Sequence, residues 1–295
     1  MRLKCRAYSF ALFLGQGRYL GARSGRHSER NEMIRRDPSS TSGKSALWIL
    51  MSQVDHAHLA GRLAEHWGGG SFAPLVPCEP LLWAIHHHDD GWQQWETAPG
   101  VDPSRGRPRS FTEMEISDSL SIWTGSIRIA AACGPLEAAV VAGHFCALAR
   151  RANAWKNGDP QWAAVEQFLT RYERSISDWL AACQAGDPLG RTSEMARQAL
   201  AQLQFFDALS LWFCCSEPDG VDRVQTPAGP ELTLTPLAPG RIELTPWPFT
   251  VASLNVEIPA RVVPAAPYET REDLAAAPSQ PLQLRWHLQP DPGSR

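Results

Sequence analysis

Two patterns of apolar and polar positions divide the chain. From Ala46 to about residue 215, apolar residues recur at spacings of three and four, the period of helices that bury one face. Beyond "CCSEPDG" they alternate in short stretches punctuated by Pro and Gly, the period of strands. "ALWILM" at 46–51 reads as a short strand or buried lead-in, and Ser52, with Asp55 three residues on, as the N-cap of a helix that "GGG" breaks after Trp67. The apolar face of that helix carries Leu59, Ala60, Leu63 and Trp67 together with His56, while His58 falls opposite with Arg62, Glu65 and His66. A second helix is expected from Glu79–Pro80 to Gly91, with Leu81, Leu82 and Ile85 inside and His88 and Asp89 on the core side of its last turn.

Further helices are expected over roughly 116–133, 135–151, 160–184 and 192–215. One places His144 on a face with Leu136, Val140, Ala147 and Leu148; another places Asp207 among Ala196, Leu200, Leu203 and Leu211. A buried unpaired carboxylate costs several kcal/mol or becomes protonated, so Asp207 requires a partner. Residues 97–112, rich in Pro, Gly and Arg, read as a loop long enough to act as a lid or substrate strap. Residues 222–289 read as a small antiparallel β unit. The expected architecture is therefore mainly α, with a helical domain at 33–218 and a small β unit at 219–295 packed on it.

Charge changes the picture at the N-terminus. Residues 1–36 hold nine Lys/Arg against two acids, so a chain of net charge -3 is strongly acidic over its remainder, which argues against nucleic-acid binding. Residues 1–32 read as a disordered basic extension or a mis-called start, with Met33 and Met51 as alternative starts; a signal peptide fits less well, because Gln16 and Gly17 interrupt the apolar run. Seven cysteines without a C-x-x-C pair suggest reduced thiols and a cytoplasmic setting. No apolar run approaches the roughly 20 residues of a membrane span.

The chemistry gathers at "IHHHDDGW", residues 85–92. Imidazole and carboxylate bind borderline divalent metals. Four inward positions follow in order along the helical part: His56, the adjacent His88–Asp89, and Asp207. They are harder to explain as four separate core residues than as ligands of one ion, and His144 is a candidate for a further ligand. Neither a nucleophile elbow nor a phosphate-binding Gly-rich loop is present.

This order resembles the HD superfamily of metal-dependent phosphohydrolases, whose helical core uses a His, a His-Asp pair and a distant Asp. "HHDDGW" resembles that superfamily's His-Asp-x-Gly turn, with Trp92 where lysine is common. A closer resemblance, carried by "QVDHAHLAGRLAEHWG", "HHDDGW", "GRPRSF", "FFDALSLW" and "LTPWPF", is to an uncharacterised bacterial family, domain of unknown function 3891. Together they imply an HD-like helical bundle followed by a small antiparallel β unit. The implied metal ligands are His56, His88, Asp89, Asp207 and His144, holding a divalent Mn, Zn, Mg or Fe, with His88 and Asp89 in the catalytic role. On this reading the partner is a small phosphate ester, held by Arg105, Arg107 and Arg109 and stacked on Trp92. The alternatives are a di-iron oxygenase and a metal- or ligand-binding module without turnover.

Overall fold

The computed structural model describes residues 33–37, 46–96, 100–151, 162–186, 193–215 and 217–293. The N-terminal extension expected at 1–32 lies outside them. The helical half follows the sequence pattern closely. Ser52 caps α1 (Gln53–Glu65), its hydroxyl accepting from Asp55 N. The chain continues through α2 (Cys78–His87), α3 (Ile116–Cys133), α4 (Pro135–Arg151), α5 (Trp162–Gly186) and α6 (Ser193–Cys215). The second helix stops four residues short of Gly91: His88 is its C-cap, and a single 3-10 turn, Asp90–Trp92, follows Asp89. The loop at 97–112 contains a short hairpin of β3 (Val101–Asp102) and β4 (Arg107–Pro108).

The expected mainly α bundle with a small C-terminal β unit is overturned. Among the described residues 51% are helical and 23% lie in strands, and seven of those strands form one curled sheet. Five of them come from the C-terminal region: β5 (Asp222–Val224), β6 (Leu232–Ala238), β7 (Arg241–Thr245), β8 (Leu254–Pro264) and β9 (Gln280–Pro290). The other two, β1 (Ile34–Arg36) and β2 (Leu47–Met51), precede every helix. The order is β1-β2-β8-β9-β7-β6-β5, antiparallel except where β9 inserts parallel to β7. The sheet is thus closed onto the helices from both ends of the sequence.

Burial explains why so large a sheet forms. Leu232 and Leu234, Ile242 and Leu244, Leu254, Val256 and Ile258, and Trp286 and Leu288 alternate along their strands, and all join one core with the helices. β2 serves two cores by the same period of two. Met51 and the half-buried Ile49 pack toward the helices, whereas Trp48 and Leu50 meet Met33, Val101, Val263, Tyr268 and Leu274 on the opposite face. That second core holds the hairpin and α7 (Arg271–Ala276) against the sheet.

The "WGGG" stretch stops α1 and also docks it. Gly68 N and Gly69 N donate to Pro248 O at 3.0 and 2.8 Å, and Thr250 N donates to His66 O at 2.7 Å. Gly68 has φ +108°, a conformation that favours glycine, and a Cβ at Gly69 would stand 2.1 Å from Phe249 O. Arg36 of β1 reaches across to donate to Phe213 O (2.7 Å) and Cys214 O (3.3 Å), carbonyls at the α6 C-terminus that lack helical partners.

Candidate metal centre

Four segments bring five side chains together. α1 supplies His56, the end of α2 His88 and Asp89, α4 His144, and α6 Asp207. His56, His88 and His144 are 1%, 0% and 3% exposed, and Asp89 6%. Asp207 is the most exposed of the five, with 15% of its side chain accessible. Carboxylate and imidazole atoms face one another at short range. His56 Nε2 lies 2.9 Å from Asp89 Oδ2 and 3.7 Å from Asp207 Oδ1. His88 Nε2 lies 3.6 Å from Asp89 Oδ2 and 3.5 Å from Asp207 Oδ1, and His144 Nε2 lies 4.0 Å from Asp207 Oδ2.

Neighbouring groups set the tautomers. His88 Nδ1–H donates to Ile85 O at 2.8 Å, which turns Nε2 toward the centre. Ser210 Oγ donates to Asp207 O at 2.9 Å and therefore accepts from His56 Nδ1–H at 2.7 Å, turning that ring's Nε2 inward as well. A histidine whose outer N–H is anchored and whose inner nitrogen faces carboxylates has the arrangement of a metal ligand.

The residues fit a divalent ion. His88 Nε2 is buried without a hydrogen-bond partner, as is His144 Nδ1. The separations of 3.5–3.7 Å are long for hydrogen bonds. They approach the roughly 3.0–3.4 Å between neighbouring ligands of an ion bound at about 2.1 Å. Two overlapping triads meet the requirement, His56/His88/Asp89 and His88/His144/Asp207, each with ligand atoms within 4.8 Å of one another.

The electrostatics point the same way. Burial works against charge on His88, but Asp89 and Asp207 outweigh it and raise the imidazole to about 9. Burial likewise opposes ionisation of Asp207, yet the His88 imidazole facing it at 3.5 Å, with His144 and His56 nearby, brings it down to about 2. Burial lowers His144 to about 4, so that ring stays neutral at physiological pH. Two carboxylates and three imidazoles therefore form a centre that holds positive charge.

The turn carrying His88–Asp89 is fixed against α3. Gly91 N donates to Ser126 Oγ at 2.9 Å, and a Cβ at Gly91 would stand 2.2 Å from Ile122 O. Glu96 anchors the other flank: its carboxylate accepts from Gln53 N and from Val54 N at the start of α1. Burial, with help from Asp89 and Asp55, raises that carboxyl to about 8.

The sequence-derived ligands His56, His88, Asp89, Asp207 and His144 thus converge. The other expected residues are placed differently. Arg105 and Arg107 pair with Glu113, Arg105 also with Asp102, and Arg109 Nε donates to Val101 O. Trp92 is 4% exposed and packs in the core, leaving no open ring face for the expected stacking. Ser210 and Glu96 were not foreseen. Ser210 lies one turn after Asp207, a spacing that signals a shared helix face but not a contact with α1.

No curated protein and no solved structure matches the chain. A family model for a protein of unknown function, DUF3891, matches residues 41–265, which include all five side chains of the candidate centre. The chain belongs to the DUF3891 family.

Proposed function

We propose that this protein is a metal-dependent hydrolase whose substrate is a phosphate ester. The observation that carries the reading is the buried, partnerless Nε2 of His88 among Asp89, Asp207 and two further imidazoles. A divalent ion held there supplies a water of near-neutral pKa and a Lewis acid for the phosphoryl oxygen. The chain's own residues do the rest. Ser210 and Ile85 O hold His56 and His88 in the ligating tautomer, and Asp89 and Asp207 supply the negative charge that attracts the cation. Neutral His144, facing Asp207 Oδ2 at 4.0 Å, completes the wall of the centre. The order His, His-Asp, Asp along the chain supports the phosphate class. The reading does not rest on Arg105, Arg107 or Arg109, whose partners lie within or beside the hairpin.

The two oxygens of Asp207, Oδ1 facing His56 and His88 and Oδ2 facing His144, favour a second reading, a pair of iron ions serving oxidation. Iron retained with visible absorbance and oxygen consumption would select it over hydrolysis.

The setting in this reading is cytoplasmic. Among the described residues no helix is long and apolar enough to cross a membrane, and the cysteines are free thiols.

The test is metal content by mass spectrometry on protein purified without an affinity metal, with hydrolysis of p-nitrophenyl phosphate and a nucleotide panel. The expected result is near-stoichiometric Mn, Zn or Fe and turnover, both lost in His88→Ala/Asp89→Ala. Turnover that persists in the metal-free variant would overturn the reading.

A further inference from the structure

The chain that forms the buried centre also carries ligating groups on its outer side. Along the end of α2, His88 and Asp89 point inward, while their flanking residues His87 and Asp90 meet each other, His87 Nδ1 to Asp90 Oδ2 at 2.9 Å. On α1 the same division separates His56 from His58. The His58 ring stands 5.9 Å from that of His87, nearly perpendicular at 81°. Ligand atoms of His58, His87 and Asp90 all lie within 4.8 Å of one another.

Three features make this more than a solvated helix end. The Asp90 side chain is 9% exposed, and its Oδ1 is buried with no hydrogen-bond partner. A buried carboxylate oxygen left in that state costs free energy that a cation would recover. Trp83 stacks on His87, with 4.6 Å between centroids and 28° between planes, fixing the ring's orientation. α1 and α2 approach closely here because residue 61 is glycine: a Cβ there would stand 2.2 Å from the His86 ring.

We propose that His58, His87 and Asp90 form a second site for a divalent transition-metal ion, separate from the buried centre. Two imidazoles and one carboxylate suit Zn²⁺ or Cu²⁺. The His87 side chain is 34% exposed, so the site is open to solvent and leaves a position for water. His86, whose Nε2–H donates to Glu65 Oε1 at 3.0 Å, has its ring 6.2 Å from that of His58 and stands next to the site. The ion bridges α1 to the turn that bears His88 and Asp89, so occupancy of the outer site also holds the inner ligands in place. This proposal does not require the inner centre to be occupied or active.

The experiment is Zn²⁺ titration followed by calorimetry, and Cu²⁺ titration followed by electron paramagnetic resonance. It uses the full chain, His58→Ala, His87→Ala and Asp207→Asn, with melting curves to establish folding. Asp207→Asn takes a ligand from one inner triad without substituting a residue of the turn, and the His58 and His87 variants separate the outer ion from any ion still held by His56, His88 and Asp89. The expected result is an ion that survives Asp207→Asn, shows imidazole nitrogen coupling, and weakens by at least about 10–100-fold in His58→Ala and in His87→Ala; loss of even an outer partner of a ligand costs that much. Unchanged affinity in both folded histidine variants, or no ion bound by Asp207→Asn, would overturn it. Outer binding without inner binding in the wild-type chain would instead refute only the proposed hydrolase.

Discussion

Ser210→Ala tests the centre through a residue that touches no ion. Ser210 is fully buried, and its hydroxyl accepts from His56 Nδ1–H at 2.7 Å while donating to Asp207 O at 2.9 Å. Alanine leaves the Nδ1–H of a histidine that is 1% exposed without a partner, at a cost of about 1–3 kcal/mol. Taking ~2 kcal/mol, the metal-free protein should melt roughly 3–4 °C lower. The freed ring can also turn or change tautomer, and losing such an outer partner weakens metal binding by roughly 10–100-fold, or about 1.4–2.8 kcal/mol. With metal at about 100 times the wild-type Kd, the stabilisation it confers should fall from about 2.7 to between about 1.4 and 0.4 kcal/mol. The assay is thermal melting with and without metal, alongside calorimetric titration. Ser119→Ala is the control, because that buried hydroxyl bonds only Glu115 O of its own helix. A Ser210→Ala protein that loses stability but binds metal as tightly as wild type would refute the argument that Ser210 orients a ligand.

Two further outcomes follow from the flanks of the centre. Gly91→Ala forces a Cβ to within 2.2 Å of Ile122 O and 2.6 Å of Ser126 N, both backbone, so α3 and the His88–Asp89 turn must separate; a loss of about 1–3 kcal/mol or more and weaker metal binding are expected, and a variant with unchanged melting would show that the turn does not sit on α3. Glu96 titrates near 8 in the folded chain against the ordinary 4.5, so the native state binds the extra proton between those values and wild-type stability should decline through that window by up to about 1.4 kcal/mol per pH unit. Glu96→Gln removes the ionisation and keeps an acceptor for Gln53 N; denaturation across pH 5–9 should show its advantage growing up to about pH 8 and then levelling, and parallel curves would exclude a buried, protonated Glu96.

Much of the helical half was legible because its signals are local. The three-and-four spacing and the Ser52 cap located α1, and the same spacing put His56, His144 and Asp207 on inner faces, where the structure finds them. Extending the second helix to Gly91 was a boundary error without consequence for the site, since His88 as C-cap still points to the core. The side of a helix on which a residue lies depends only on the residues beside it in the chain.

The sheet was not legible in that way. "IRR" and "LWILM" are too short to reveal a partner, and nothing local pairs Leu47–Leu50 with residues 261–264 or inserts β9 parallel to β7. Those pairings are decided by which apolar face remains open once the helices pack, a property of the assembled layers. The same holds for the contacts that turn a group of ligating residues into a centre. Sequence alone determined which residue types point inward and in what order. Only the tertiary structure brought Ser210 to His56, closed Gly61 against His86 so that His58 meets His87 and Asp90, and engaged the hairpin arginines with Asp102, Glu113 and Val101, because each of these depends on a distance across elements that no local pattern encodes.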